Sequence, residues 1–125
     1  MDIRAFVPKQ TIEVVIKGLD QQPTDIVITV AGPSHPATVA LDRAQAESRY
    51  ESNTLGTHLP YAKASDEVMD ELVARTLSWA NVELDGQALE CTPENVRMIY
   101  ENADYATFRG QVSRALSDSA RFFSV

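Results

Sequence analysis

Residues 11–31 read Thr-Ile-Glu-Val-Val-Ile-Lys-Gly-Leu-Asp-Gln-Gln-Pro-Thr-Asp-Ile-Val-Ile-Thr-Val-Ala, and this stretch decides the fold class. Over 11–17 the apolar residues Ile12, Val14 and Ile16 alternate with polar ones, and over 25–31 Ile26, Ile28 and Val30 do the same. Successive side chains of a strand point to opposite faces, so each run offers one apolar face. Both runs are rich in β-branched residues, which suit a pleated surface. The intervening Gly18–Thr24 is too long for a two-residue turn and suits a looser hairpin connection. Gly32-Pro33 stops the second strand, because proline cannot donate to a ladder. The reading is an N-terminal β-hairpin.

Beyond the hairpin the periodicity becomes helical. From Pro36 to about Tyr50, Val39, Ala40, Arg43, Ala44 and Glu47 recur at helical spacing, with so few apolar residues that a surface-lying or partner-completed helix is predicted. Gly56 and Pro60 break the period within residues 51–64, which read as a flexible linker. Ser65-Asp66-Glu67 looks like an N-cap with acids in the first turn. The helix it starts is predicted to reach about Trp79 and to bury Val68, Leu72, Val73, Thr76 and Leu77. Asp85-Gly86, flanked by alternating residues over 82–90, signals a tight hairpin. Thr92-Pro93-Glu94 combines a hydroxyl cap, a first-turn proline and a first-turn acid, and opens a helix carrying Val96, Ile99, Tyr100 and Ala103 on one face. A last helix from about Tyr105 to Phe122 places Phe108, Val112, Leu116 and Ala120 at four-residue steps. The expected architecture is α+β: an N-terminal β-hairpin, then a mainly helical body with a small β-hairpin. It is read as one domain over 1–125, with hairpin and helix in 1–50, the linker in 51–64 and a helical core in 65–125.

A chain of 125 residues is long enough for one core, and 44 % hydrophobic with 23 % charged residues is ordinary for a globular protein. No run approaches the roughly 20 apolar residues of a membrane span, so no membrane association is expected. Met1-Asp2-Ile3-Arg4-Ala5 lacks the basic flank and apolar run of a secretory leader. The single Cys91 builds neither an internal disulfide nor a cysteine zinc site, which fits a cytosolic location. The net charge of −7 is uneven: residues 65–104 carry two basic and ten acidic side chains, while residues 105–125 carry three basic and one acidic. Such a segment repels nucleic acid. It is either a solvated surface or a face that docks a basic partner.

Candidate chemistry is sparse. His35 and His58 lie in loop-like segments without the i, i+4 histidine spacing that holds a metal. Cys91 precedes a helix start, where a thiol can be activated, yet no histidine stands near in sequence to act as its base. The five glycines, at 18, 32, 56, 86 and 110, form no phosphate loop. Asp66, Glu67, Asp70 and Glu71 lack calcium-loop spacing. No enzyme, cofactor or metal is expected. Trp79, the one tryptophan, is either core or a partner-facing anchor. Phe122-Phe123-Ser124-Val125 either tucks into the core or is offered to another molecule.

The order of signals from Trp79 onward carries a resemblance. Leu77-Ser78-Trp79-Ala80-Asn81-Val82, then Asp85-Gly86, then Cys91-Thr92-Pro93-Glu94-Asn95-Val96, and finally Ala115-Leu116-Ser117-Asp118-Ser119-Ala120-Arg121-Phe122-Phe123 resemble the tail assembly chaperones of siphophages. That family commonly shows a tryptophan–x–x–valine step, an aspartate–glycine turn, a threonine- or serine-proline-glutamate-asparagine cap and a closing asparagine-phenylalanine. The last motif departs here, with Arg121 where asparagine often stands. The match spans residues 72–123, and Phe6-Val7-Pro8 with the following hairpin is compatible in style. The resemblance implies a non-enzymatic factor of the host cytoplasm that coats the tape measure protein, helps recruit tail tube protein and is absent from the mature virion. A longer form made by ribosomal frameshifting is common in such phages. Two other classes stand beside it: a head–tail joining or minor tail protein, and an acidic inhibitor of a basic partner. Partner-binding candidates are Trp79, Phe108, Val112, Leu116, Phe122 and Phe123, with homo-oligomer formation or client binding expected through residues 108–125.

Overall fold

The structure is a computed structural model that describes residues 2–54 and 61–123, with side chains for all of these except 49, 51–54 and 61–65. Strand β1 (Thr11–Lys17) pairs antiparallel with β2 (Pro23–Ala31), setting Ile12 opposite Val30 and Val14 opposite Ile28. The expected hairpin is therefore present. Its alternation does what the sequence implies: Ile12, Val14 and Ile16 are buried while Glu13, Val15 and Lys17 are exposed. Gly32 follows the hairpin in close quarters, since a Cβ there would run into the Lys9 carbonyl oxygen.

Helix α1 (Pro36–Thr54) and helix α2 (Tyr61–Arg75) come next. Residues 51–54 end the first and 61–64 begin the second, so the predicted linker is helical at both margins, and residues 55–60 lie outside the described residues. Helix α1 is surface-lying, but its inward stripe is Thr38, Leu41, Gln45 and Ser48 rather than Val39, which is exposed. The Gln45 amide donates to the Glu67 carbonyl (2.9 Å), holding α1 to α2. In α2, Leu72 and Arg75 are buried whereas Val68 is exposed, facing an open groove between α2 and residues 113–117.

Helix α2 does not reach Trp79 as its periodicity predicts. It stops at Arg75, and Thr76–Ala80 forms β3, antiparallel to β2 with Trp79 opposite Ile28 and Ser78 opposite Thr29. The sheet order is β1-β2-β3. A hairpin alone would leave the second edge of β2 with unpaired N–H and C=O groups beside an apolar core, and Thr-Leu-Ser-Trp-Ala has the side chains to fill that edge. The small hairpin, β4 (Glu83–Leu84) with β5 (Gln87–Ala88), turns through Asp85 (φ 53°) and Gly86 (φ 78°), the left-handed pair that a tight hairpin requires.

Helix α3 (Pro93–Glu101) begins as read: the Thr92 hydroxyl accepts from the Asn95 N–H (3.2 Å), and Val96, Ile99 and Tyr100 are buried. The predicted last helix is two helices, α4 (Ala106–Ser117) and α5 (Ser119–Phe123), parted at Asp118 (φ −89°, ψ 88°). At 3.6 residues per turn, a stripe in four-residue steps drifts by about 40° per step. A straight helix would carry its last turn away from the sheet; the break returns it. Phe122 is thereby only 1 % exposed while Ala120 faces solvent. The core joins Ile12, Val14, Ile16, Ile28 and Val30 of the sheet to Leu72, Val96, Ile99, Tyr100, Val112, Ala115 and Phe122, so hairpin and helices share it.

Candidate interaction surface

Two buried polar anchors hold the helices to the sheet, and neither was legible in the sequence. Arg75 donates from Nε to the Ala31 carbonyl (3.0 Å) and from Nη1 to Glu71 (3.1 Å), and its guanidinium lies 5.7 Å from the centre of the Phe122 ring. Tyr100, fully buried, shares a 2.8 Å hydrogen bond with Thr76, whose hydroxyl also lies 2.7 Å from the Leu72 carbonyl. Burial pushes the Tyr100 hydroxyl up to about 12, against the opposing pull of the Thr76 bond.

The sequence-predicted contact residues fall into different environments. Trp79 is half-buried; its indole N–H donates to the Leu89 carbonyl (2.7 Å), pinning residues 89–91 beside β3. Phe108 and Leu116 pack partly buried against the core, the Phe108 ring 6.3 Å from that of Tyr100. Val112 and Phe122 are fully internal, packed within the shared core. Of the six, Phe123 is the large apolar side chain left well exposed, at 47 %.

Other large apolar side chains are exposed near the N-terminal end of the fold. Residues 3–6 form a 3₁₀ turn capped by Asp2, whose carboxylate accepts from the Arg4 N–H (2.9 Å) and pairs with its guanidinium. That turn buries nothing: Ile3, Phe6 and Val7 are 79 %, 64 % and 62 % exposed. The chain then meets the C-terminal helix, the Lys9 N–H donating to the Phe122 carbonyl (2.7 Å). That bond joins the two segments that carry the exposed residues 3–7 and Phe123. On the acidic side, Glu83, Asp85, Glu90, Glu94, Glu101 and Asp104 are all exposed.

The potential catalytic groups among the described residues are each held by separate partners. His35 accepts the Ala37 N–H at Nδ1 (3.0 Å) at the start of α1, and His58 lies outside the described residues. Burial disfavours the Cys91 thiolate and raises the thiol above its ordinary range, outweighing a hydrogen bond from the Trp79 backbone. Asp70 pairs with Arg97, and Glu71 with Arg75. Among the described residues no three His, Cys, Asp or Glu side chains gather where they could hold a metal ion, and no helix is long and apolar enough to cross a membrane. No protein-family model, curated protein or solved structure matches the chain.

Proposed function

We propose that the protein is a phage tail assembly chaperone, a non-enzymatic factor that binds the tape measure protein and helps recruit tail tube subunits. The observation that carries this reading is the exposure of Ile3, Phe6, Val7 and Phe123 in the two segments that the Lys9–Phe122 bond joins. Exposed apolar surface on a folded domain suits the capture of another chain's hydrophobic segments. The net charge of −7 suits solubility of the resulting complex. The motif order between Trp79 and Phe123 supplies the choice of client.

The test is co-expression with the tape measure protein encoded by the same phage genome. The chain is expected to keep that protein soluble, and a Phe6→Ser, Phe123→Ser double variant, unchanged in melting temperature, is expected to lose the effect. If the tape measure protein precipitates equally with and without the chain, the proposal fails. A second reading, an acidic inhibitor of a basic partner, is favoured by the six exposed carboxylates between Glu83 and Asp104. Binding to a basic protein that disappears at high salt would select it.

A further inference from the structure

Strand β1 is an edge strand, and its outward backbone groups follow a rule. The carbonyls of Gln10 and Ile16 and the N–H of Gly18 bond on the β2 side, to Gly32, Thr24 and Gln22. The even-numbered residues therefore face β2, and the odd-numbered ones face outward. Three of those outward positions are occupied by the C-terminal helices. The Lys9 N–H donates to the Phe122 carbonyl, the Glu13 carbonyl accepts from Arg121 (3.0 Å), and the Gln111 amide bonds both the N–H and the C=O of Lys17 (2.7 and 2.8 Å). In the last case a glutamine amide imitates a neighbouring strand. Between the Arg121 and Gln111 caps, about 13 Å apart along the strand, lies Val15. No hydrogen bond from the C-terminal helices reaches its main chain among the described residues.

Beside it runs a groove of about 320 Å³ between β1 and α4, lined by Val15, Lys17, Gln111, Arg114, Asp118 and Arg121 among others. Three cations and one acid thus border it, in a chain whose overall balance is strongly acidic. Arg114 is exposed, and among the described residues its hydrogen bond goes to the Gly110 carbonyl of its own helix.

We propose that this groove binds an extended segment of a partner protein, paired in short strand fashion with the main chain of Val15 and carrying carboxylates toward Arg114 and Lys17. Main-chain pairing on an open edge supplies attachment, and alternate side chains supply selectivity. The Arg121 and Gln111 bonds flank Val15 on either side and leave its main chain as the pairing position between them.

The test uses the isolated protein and two synthetic heptapeptides, one alternating valine with glutamate and one alternating valine with lysine. Titration is followed by amide chemical shifts and hydrogen exchange. The glutamate peptide is expected to bind saturably, to slow exchange at the Val15 N–H and to shift Val15, Gln111 and Arg114. Arg114→Glu is expected to weaken it at least about tenfold, as loss of a close charge pair does. Thr107→Trp, which fills the groove from an exposed position, is expected to block it. Absence of saturable binding, equal binding of the lysine peptide, or shifts mapping away from Val15 overturns the proposal. So does concentration-dependent change at Val15 without peptide, which would make a second copy the occupant. None of these readouts involves the tape measure protein, so this inference and the chaperone proposal fail separately.

Discussion

Tyr100 shows how a single residue couples the helices to the sheet. Its ring fills the core, and its hydroxyl satisfies Thr76 at the junction where α2 gives way to β3. Because burial raises the hydroxyl from 10.0 to about 12, the folded state holds that proton more tightly than the unfolded chain does. The resulting stabilisation is complete below pH 10 and is lost as the pH rises through 12, since over that window the unfolded state alone ionises. Urea unfolding from pH 9 to 12 should therefore show a decline of about 2–3 kcal/mol attributable to this group, because each tenfold difference in proton affinity is worth about 1.4 kcal/mol. Tyr100→Phe should remove that component of the pH dependence. It should also cost about 1 kcal/mol at neutral pH for the lost hydrogen bond. An alkaline profile identical in the two proteins would show that Tyr100 is not the group responsible.

At the scale of elements, α5 is the least obvious part of the design. Five residues make no independent helix, so its order must come from tertiary contacts. Those contacts are the burial of Phe122, the Arg75 guanidinium against its ring, the Lys9–Phe122 backbone bond and the Arg121–Glu13 bond. Phe122→Ala should then cost about 3–5 kcal/mol, the usual penalty for emptying a buried aromatic site. Phe123→Ala, one residue on but half-exposed, should stay within about 0.5 kcal/mol of the parent. Chemical denaturation of the pair separates the roles. Equal stability in both variants would mean that α5 does not dock. The contrast also divides the pair by environment: Phe122 belongs to the core, and Phe123 is left in water.

Over the whole molecule, charge is distributed against stability. The carboxylates of Glu83, Asp85, Glu90, Glu94, Glu101 and Asp104 are exposed within one 22-residue stretch of sequence, with Arg97 drawn into pairs with Asp70 and Glu101. Like charges repel across water, and salt shortens their reach from about 30 Å at 0.01 M to about 8 Å at 0.15 M. Raising sodium chloride over that range should stabilise the protein by about 1 kcal/mol, read as a higher melting temperature. A lower melting temperature would show that the ion pairs outweigh the repulsion. That repulsion also has a use under the proposed function, because a strongly acidic body discourages aggregation of whatever apolar segment it carries.

Local physics was readable in the sequence by itself. Ile12, Val14 and Ile16 against Ile28 and Val30 declared the hairpin and its buried face, because a period of two has no other use there. Asp85-Gly86 and Thr92-Pro93 declared a turn and a cap, because their backbone and side-chain chemistry acts within four residues. The tertiary structure decided what depends on distant neighbours. Thr76–Ala80 continues a helical period and became a strand because β2 had an edge to fill. Arg75 looks like a surface charge in the sequence and is buried because the Ala31 carbonyl and the Phe122 ring receive it. Phe108, Val112 and Leu116 stand out in the sequence by apolar spacing, which is the same for a core face and a binding face. Trp79, Phe122 and Phe123 stand out by their aromatic bulk, which is equally ambiguous. Only packing told them apart, internalising Val112 and Phe122 and leaving Phe123 in water, and only packing showed that Ile3, Phe6 and Val7 stay exposed as well. The groove at Val15 was beyond sequence reading altogether, since it exists only where residues 94 positions apart, Lys17 and Gln111, are brought to one edge.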